Sequence, residues 1–197
     1  MASDDTNTTR LAKHPVIAIY GRAGSGKSEL ASMLAERGFQ RVKFADPLKA
    51  ALRSILEYTA LEEDLINEMI EGNLKETPAP QLGGKSPRHA MQTLGTEWGR
   101  DLIHPEFWVN IAREGILYYT NVVGVPVVVD DMRFPNEYAM IKAIGGRILW
   151  IGRPGVTIGL GAGHQSEGAL DKFIFDYAFL NDGALDDMAR YADALAA

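Results

Sequence analysis

The sequence contains no cysteine, which excludes disulfide bonds, thiolate metal sites and a cysteine nucleophile. It also lacks a long hydrophobic run, because the longest, from Val122 to Val129, contains Gly124 and Pro126 and is too short to span a bilayer. Residues 1–14 are polar and lack the apolar core of a signal peptide, so we interpret them as a flexible tail. These absences favour a soluble, cytoplasmic protein.

Basic residues are fewer than acidic ones. The chain of 197 residues has 20 Lys and Arg against 26 Asp and Glu, for a net charge of -6. This balance argues against nucleic acid or an anionic membrane as a partner, but a few arginines in a cleft can still attract a small anionic substrate. The hydrophobic share of 46% is ordinary for a globular protein, and the length of the chain suits one domain, 15–197. We expect this domain to be a monomer or homodimer.

Apolar, strand-like segments alternate with helical ones, which predicts an α/β fold with a parallel sheet and helices on both faces. The predicted strands lie at 16–20, 41–45, 125–130, 147–151 and 175–180. Two of the predicted helices lie at 28–37 and 136–144, and two more begin at 46 and at about 184. Two longer segments interrupt this alternation. We expect the mostly helical segment 58–120 to be an acceptor-binding insert and the glycine-rich segment 152–170 to be a short lid.

Gly21 to Ser28 reads Gly-Arg-Ala-Gly-Ser-Gly-Lys-Ser, the phosphate-loop spacing G-x-x-x-x-G-K-S, between a predicted strand and a predicted helix. Glycines let main-chain N–H groups and the helix N-terminus face the phosphates of ATP. Lys27 is predicted to bridge the β- and γ-phosphates, and Ser28 to ligate Mg²⁺. The predicted ATP-binding residues of this segment are Gly21, Ala23, Gly24, Ser25, Gly26, Lys27, Ser28 and Glu29.

A carboxylate for the metal is expected at the end of a neighbouring strand. Asp130 and Asp131 directly follow the apolar residues 127–129. We favour Asp130 for holding Mg²⁺ through water. Capping of the following helix is the alternative role for both.

Arginines are expected around a site that brings two polyanions together. A phosphate monoester has a second pKa of about 6, so as an acceptor it is largely anionic and needs no strong base. Fixed positive charge then becomes the main requirement, and arginine supplies it. Candidate arginines stand in the insert, just past a strand or at the start of the lid: Arg88, Arg100, Arg133 and Arg153. For each, a solvated surface position is the alternative, and Arg147 is excluded because it opens a strand.

Six blocks of the sequence resemble the phage deoxynucleoside monophosphate kinases, a branch of the P-loop nucleotide kinases close to dephospho-coenzyme A kinase. Besides the phosphate loop they are Phe44 to Lys49, Arg88 to Glu97, Asp130 to Glu137, His164 to Glu167, and Asn181 to Gly183. The resemblance implies the three-layer αβα P-loop fold, with five parallel strands in the order 2-3-1-4-5. It also implies transfer of the ATP γ-phosphate to a deoxynucleoside monophosphate.

The resemblance further implies roles for individual residues. Arg88 would grip the acceptor phosphate, Asp46 would lie near the acceptor sugar or the transferred group, and Arg133 would contact the acceptor. Arg153 would close over the donor phosphates, and Asn181 would lie near the donor adenine. The implied catalytic residues are Lys27, Asp46, Arg88, Arg133 and Arg153; those binding substrate are Asp46, Lys49, Arg88, Gln92, Trp98, Arg133, His164, Ser166 and Glu167.

Two other functions remain open on the sequence. A kinase with a hydroxyl acceptor, like dephospho-coenzyme A kinase, would need a general base, for which Asp46 is the candidate. A P-loop ATPase or switch with a protein partner would need a water-positioning residue, and the arginine-bearing insert argues against it.

Overall fold

The computed structural model describes residues 15–155, 169–183 and 185–197. The predicted tail and residues 156–168, which make up most of the predicted lid, lie outside the described residues. In the described ranges, no helix combines the length and the hydrophobicity needed to cross a membrane.

Five strands form one sheet: β1 (Val16–Tyr20), β2 (Gln40–Val42), β3 (Val127–Val129), β4 (Arg147–Gly152) and β5 (Tyr177–Leu180). Their order is β2-β3-β1-β4-β5. Strand β1 pairs in parallel with β3 and with β4, and β4 pairs in parallel with β5. In this register, Ala18 lies opposite both Val129 and Ile148. The predicted parallel sheet and its strand order are confirmed.

Helices cover both faces of the sheet, so the predicted three-layer αβα architecture is confirmed. The α-helices are α1 (Lys27–Glu36), α2 (Asp46–Glu57), α3 (Glu63–Ile70), α4 (Pro87–Thr93), α5 (Phe107–Tyr118), α6 (Pro135–Ala143) and α7 (Leu185–Ala196). Short 3-10 turns occur at Asn73–Glu76 and Pro80–Leu82, and π-helical segments at Leu94–Ile103 and Tyr119–Val123.

The chain divides into two compact units, which we call the sheet unit (Met1–Arg41 with Leu117–Ala197) and the helical unit (Val42–Ile116). Burial of each large aliphatic side chain contributes about 1.5–3 kcal/mol of transfer free energy. In the sheet unit, one face of the sheet packs on α1 and α7 through Ile17, Ile19, Leu149, Ile151, Leu30, Leu34, Met188, Ala192 and Leu195. The helical unit has a core of its own, made of Leu52, Leu56, Ile66, Met69, Ile70 and Ala79.

Three strands are shorter than the sequence predicts, and one of them is β5, which begins at Tyr177 rather than at position 175. Strand β2 ends at Val42 because the chain turns next: the Asp46 carboxylate accepts the Lys43 N–H at 2.9 Å, and the Asp46 N–H donates to the Lys43 carbonyl at 3.2 Å. Strand β3 begins at Val127, since the preceding Pro126 has no N–H to donate to a ladder. Asp46 therefore begins α2, as the sequence predicts.

An ion cluster surrounds Asp176, just before β5. Its carboxylate accepts hydrogen bonds from Lys142 Nζ at 2.8 and 2.9 Å, from Arg147 Nη1 at 3.1 Å and from the Ile148 N–H at 2.8 Å. Burial by itself would raise the pKa of Asp176, but the bonds from Lys142, Ile148 and Arg147 outweigh it and hold this pKa below its ordinary value. The cluster contributes stability because it favours the ionised carboxylate.

We expect Asp176→Asn to lower stability by about 1–3 kcal/mol at pH 7, because it removes a charge that several donors share. A depressed carboxylate pKa gives stability that is fully present above the unfolded value of about 3.9 and is lost as the pH falls through the folded pKa. Thermal unfolding should therefore show a large difference from the parent at pH 7 and a small one near pH 3.

Asp187→Asn is the matched control, because Asp187 pairs with Arg190 in an exposed ion pair. Such a pair contributes at most about 1 kcal/mol. A loss for Asp176→Asn that is no larger than that of the control at pH 7, or that is independent of pH, would contradict this account.

Candidate active site

The phosphate loop joins β1 to α1 and depends on glycine at three positions. Gly24 and Gly26 have φ angles of 77° and 102°, which glycine adopts without the strain that a Cβ would cause. A Cβ on Gly21 would lie 2.3 Å from the Ile151 carbonyl oxygen, and one on Gly26 would lie 2.6 Å from Asn181 Nδ2. The loop therefore lies closer to β4 and to Asn181 than a residue with a side chain would allow.

Asn181 bonds to the main chain of the loop. Its buried side-chain Nδ2 donates to the Ser25 carbonyl at 2.9 Å, and its backbone N–H donates to the Gly152 carbonyl at 2.8 Å. The amide side chain thus bonds directly to the loop that the sequence analysis assigns to ATP.

The residues of the loop fit a phosphate group. Among the described side chains, Ser25 Oγ is the one buried polar atom without a hydrogen-bond partner, and a ligand oxygen would supply that partner. Helix α1 begins at Lys27 after Gly26, which has no side chain to cap the helix. The first N–H groups of a helix have no intrahelical acceptor and favour an anion.

Lys27 places its ammonium group at the loop. Nζ donates to the Gly21 carbonyl at 2.6 Å and to the Arg22 carbonyl at 2.8 Å. These bonds hold a positive charge beside the glycines, where it would attract the phosphates of a nucleotide.

Asp130 is brought to the loop by β3, which lies beside β1. The residue is 4% exposed, and its Oδ2 accepts a hydrogen bond from Ser28 Oγ at 3.2 Å. Arg41, at β2, donates from Nε to Oδ1 at 3.1 Å and from Nη2 to Oδ2. The two residues predicted to serve the metal are therefore adjacent. Arg41, which the sequence analysis did not single out, completes the group.

A second linkage joins the entrance of the loop to the segment that precedes β5. Tyr20 donates its hydroxyl to Asp171 Oδ1 at 2.8 Å, and Arg22 pairs with Asp171 Oδ2. Burial and the hydrogen bond to Asp171 raise the pKa of Tyr20 to about 12. The Tyr20 ring also stacks on Phe175, with centroids 5.5 Å apart.

A cavity of about 600 Å³ adjoins the loop. This volume falls within the range of small-molecule sites. Its walls combine two guanidinium groups, Arg22 and Arg153, with the rings of Trp150, Phe173 and Phe175. Arg153, predicted to lie over the donor phosphates, therefore lines a cavity next to the phosphate loop.

In the helical unit, two predicted substrate-binding cations are held by carboxylates of one segment, residues 71–76. Arg88 Nε pairs with Glu76, and both side chains are exposed. Lys49 Nζ donates to Glu71 at 2.7 Å. Gln92 lies one helical turn after Arg88, on the same face of α4. This segment thus compensates cations that would otherwise be available to an anionic ligand.

The other predicted site residues do not belong to the groups described above. Ala23, Glu29 and Asp46 are exposed, as is Arg133, which stands before α6 where Glu137 accepts the N–H of Arg133 at 2.7 Å. Trp98 is 42% exposed and packs edge-on to Phe107, with centroids 5.4 Å apart. His164, Ser166 and Glu167 lie outside the described residues.

A family model and a viral relative point to the same family. The model of the family described as deoxynucleotide monophosphate kinase matches residues 81–191, which is more than half of the chain. A protein of Acanthamoeba polyphaga mimivirus, whose name assigns it to the same kinases, is 37% identical over 153 residues, covering 72% of this chain and 76% of its own.

Two further relatives match in part or in fold. The deoxynucleoside-5'-monophosphate kinase of Escherichia phage T5 is 39% identical over 57 residues, which are 29% of this chain and 22% of that one. The crystal structure of TT1252 from Thermus thermophilus superimposes with a TM-score of 0.51 over 93% of this chain and 97% of its own, at 20% identity. The latter likeness supports the fold alone.

We expect Gly21→Ala to abolish measurable ATP binding and to lower stability by about 1–3 kcal/mol, because the new Cβ forces the loop away from β4. Isothermal titration with ATP and thermal unfolding would measure the two effects. Gly115→Ala in α5 is the matched control, since open space surrounds that position, and alanine favours a helix by up to about 1 kcal/mol. Wild-type ATP affinity in Gly21→Ala would contradict the loop geometry.

Proposed function

The chain belongs to the deoxynucleotide monophosphate kinase family and is an ATP-dependent phosphotransferase, and from that premise we propose the reaction ATP + dNMP → ADP + dNDP. The observation that carries this proposal is the family match over residues 81–191. The matched range contains both Arg88, the candidate for gripping the acceptor, and Asp130, the candidate for serving the metal.

The donor triphosphate binds to the phosphate loop. Lys27 and the main-chain amides of the loop stabilise the negative charge that spreads over the transferred phosphoryl group. Asn181 keeps the loop in its binding shape through the Ser25 carbonyl. The nucleoside of ATP occupies the cavity beside the loop, where Arg153 and Trp150 stand in the wall.

Ser28 and Asp130 are the residues that would hold the Mg²⁺ ion. Mg²⁺ in kinases is held by one or two protein oxygens together with phosphate oxygens and water, and the Ser28 hydroxyl and the adjacent carboxylate are ligands of this kind. When bound, the ion would neutralise charge on the β- and γ-phosphates.

The acceptor monophosphate is gripped by Arg88. A guanidinium group forms two parallel bonds to a phosphate, which orients the acceptor as well as attracting it. Gln92, one turn along α4, is placed to contact the same molecule. Because the acceptor oxygen is already anionic, the helical unit supplies position and charge rather than a general base.

Replacement of the acceptor-binding arginine tests this assignment. We expect Arg88→Ala to raise the KM for dNMP by at least tenfold, since a charge-assisted bond to phosphate contributes about 1.5–3 kcal/mol. The KM for ATP should change little. Steady-state kinetics with each substrate varied in turn would give both constants.

Arg113→Ala is the matched control, because Arg113 is a similarly exposed arginine of the helical unit that pairs with its neighbour Glu114. It should leave both constants unchanged. An unaltered KM for dNMP in Arg88→Ala would remove this residue from the acceptor site. ATP turnover by the parent that ignored every added monophosphate would remove the function itself.

The Arg88–Glu76 pair generates a second kinetic prediction. The acceptor phosphate must displace Glu76 from Arg88, and an exposed ion pair contributes about 0.2–1 kcal/mol. We therefore expect Glu76→Gln to lower the KM for dNMP by up to about fivefold, by the usual relation between affinity and free energy. In an Arg88→Ala background the same substitution should have no effect. A raised KM in the single variant would show that Glu76 assists binding instead.

A further inference from the structure

We propose that Arg41 is a positioning residue for the metal-binding end of the donor site, acting through Asp130 on the hydroxyl of Ser28. The inference rests on the proposed function, because it concerns how the chain prepares to hold Mg²⁺ with ATP. Arg41 lies at β2, Asp130 follows β3, and Ser28 belongs to the first turn of α1. Three separate elements of the sheet unit therefore meet at one carboxylate.

Both oxygens of the Asp130 carboxylate are engaged by the Arg41 side chain. Nε donates to Oδ1 at 3.1 Å, Nη2 pairs with Oδ2, and Nη1 lies 3.4 Å from Ser32 Oγ on α1. The Asp130 side chain is 2% exposed, and that of Arg41 is 28% exposed. This fork-shaped contact fixes the plane of the carboxylate as well as its position.

A buried carboxylate needs such a partner. Taking an ionised group out of water has a large free-energy cost unless an opposite charge and hydrogen bonds compensate it. The single hydroxyl of Ser28 provides one hydrogen bond and no charge. Arg41 provides a charge that compensates the Asp130 carboxylate beside the phosphate loop.

The orientation of Asp130 determines what the Ser28 hydroxyl can do. A hydroxyl has one hydrogen to donate and two lone pairs with which to accept. In this structure Ser28 Oγ donates its hydrogen to Asp130 Oδ2 at 3.2 Å. Its lone pairs are then left for a cation. If Asp130 were to rotate, the hydroxyl hydrogen would lose this acceptor and the lone pairs would no longer be directed by it.

Arginine and lysine differ at this position. The guanidinium group reaches both carboxylate oxygens at once, whereas an ammonium group is a point charge that fixes no plane. A lysine at position 41 would therefore keep the compensating charge while losing the orientation. This difference separates a positioning role for Arg41 from simple charge balance.

The experiment measures ATP binding by isothermal titration calorimetry, once in EDTA and once with saturating Mg²⁺, without any acceptor. The variants are Arg41→Met, Arg41→Lys, Asp130→Asn and the double variant Arg41→Met/Asp130→Asn. Arg190→Met is the matched control, since Arg190 is an exposed arginine of the sheet unit that pairs with Asp187. The measured quantity is the factor by which Mg²⁺ strengthens ATP binding.

We expect Arg41→Met to reduce this factor by roughly tenfold or more, as removal of residues that orient metal ligands does elsewhere, while ATP binding in EDTA stays unchanged. Arg41→Lys should show a smaller reduction. The double variant should match Asp130→Asn alone, because Arg41 acts through that carboxylate. Arg190→Met should retain the wild-type factor.

Three results would overturn the inference. The first is that Mg²⁺ strengthens ATP binding in Arg41→Met by the wild-type factor, and the second is that this factor is smaller in the double variant than in Asp130→Asn. The third is that Mg²⁺ does not change the ATP affinity of the parent protein. If Arg41→Met does not fold, the comparison of the double variant with Asp130→Asn still decides, because neither of these two variants leaves a buried carboxylate without its cation. No monophosphate is added in these titrations. A failure of the proposed acceptor chemistry would therefore leave them unaffected.

Discussion

The close approach of the phosphate loop to strand β4 is the constraint on which the rest of the site depends. Gly21 leaves no room for a side chain against the Ile151 carbonyl, and Asn181 closes on the loop through the Ser25 carbonyl. Ile151 belongs to the buried core between the sheet and its two covering helices. The hydrophobic core therefore sets the shape of the loop, because the loop packs directly against a residue of that core.

Much of the fold follows from local sequence patterns. The run Val16–Tyr20 is apolar and β-branched because it is the central strand, buried on both faces. The loop that follows, and Asp130 after β3, could be predicted because each directly follows a buried strand in the chain. Strand ends were less predictable. The turn made by Asp46 with Lys43, which shortens β2, uses the Lys43 N–H in a bond to the Asp46 carboxylate instead of in the sheet.

The parts of the site that escaped prediction are those built from distant residues. Arg41 meets Asp130 across 89 positions, and Arg22 meets Asp171 across 149, so no local pattern carries either contact. In the helical unit the sequence identifies Arg88 and Lys49 as cations but not the carboxylates that hold them. Glu76 and Glu71 read as ordinary surface residues until the folded chain places them beside these cations.

The linkage of Tyr20, Asp171 and Arg22 gives the entrance of the loop a fixed hydrogen-bond donor. With its pKa raised to about 12 by burial and by the bond to Asp171, the phenol retains its proton at every physiological pH. It thus remains a permanent donor rather than a titrating one. The Tyr20 hydroxyl consequently keeps its bond to Asp171 as a donor when the pH rises above neutrality.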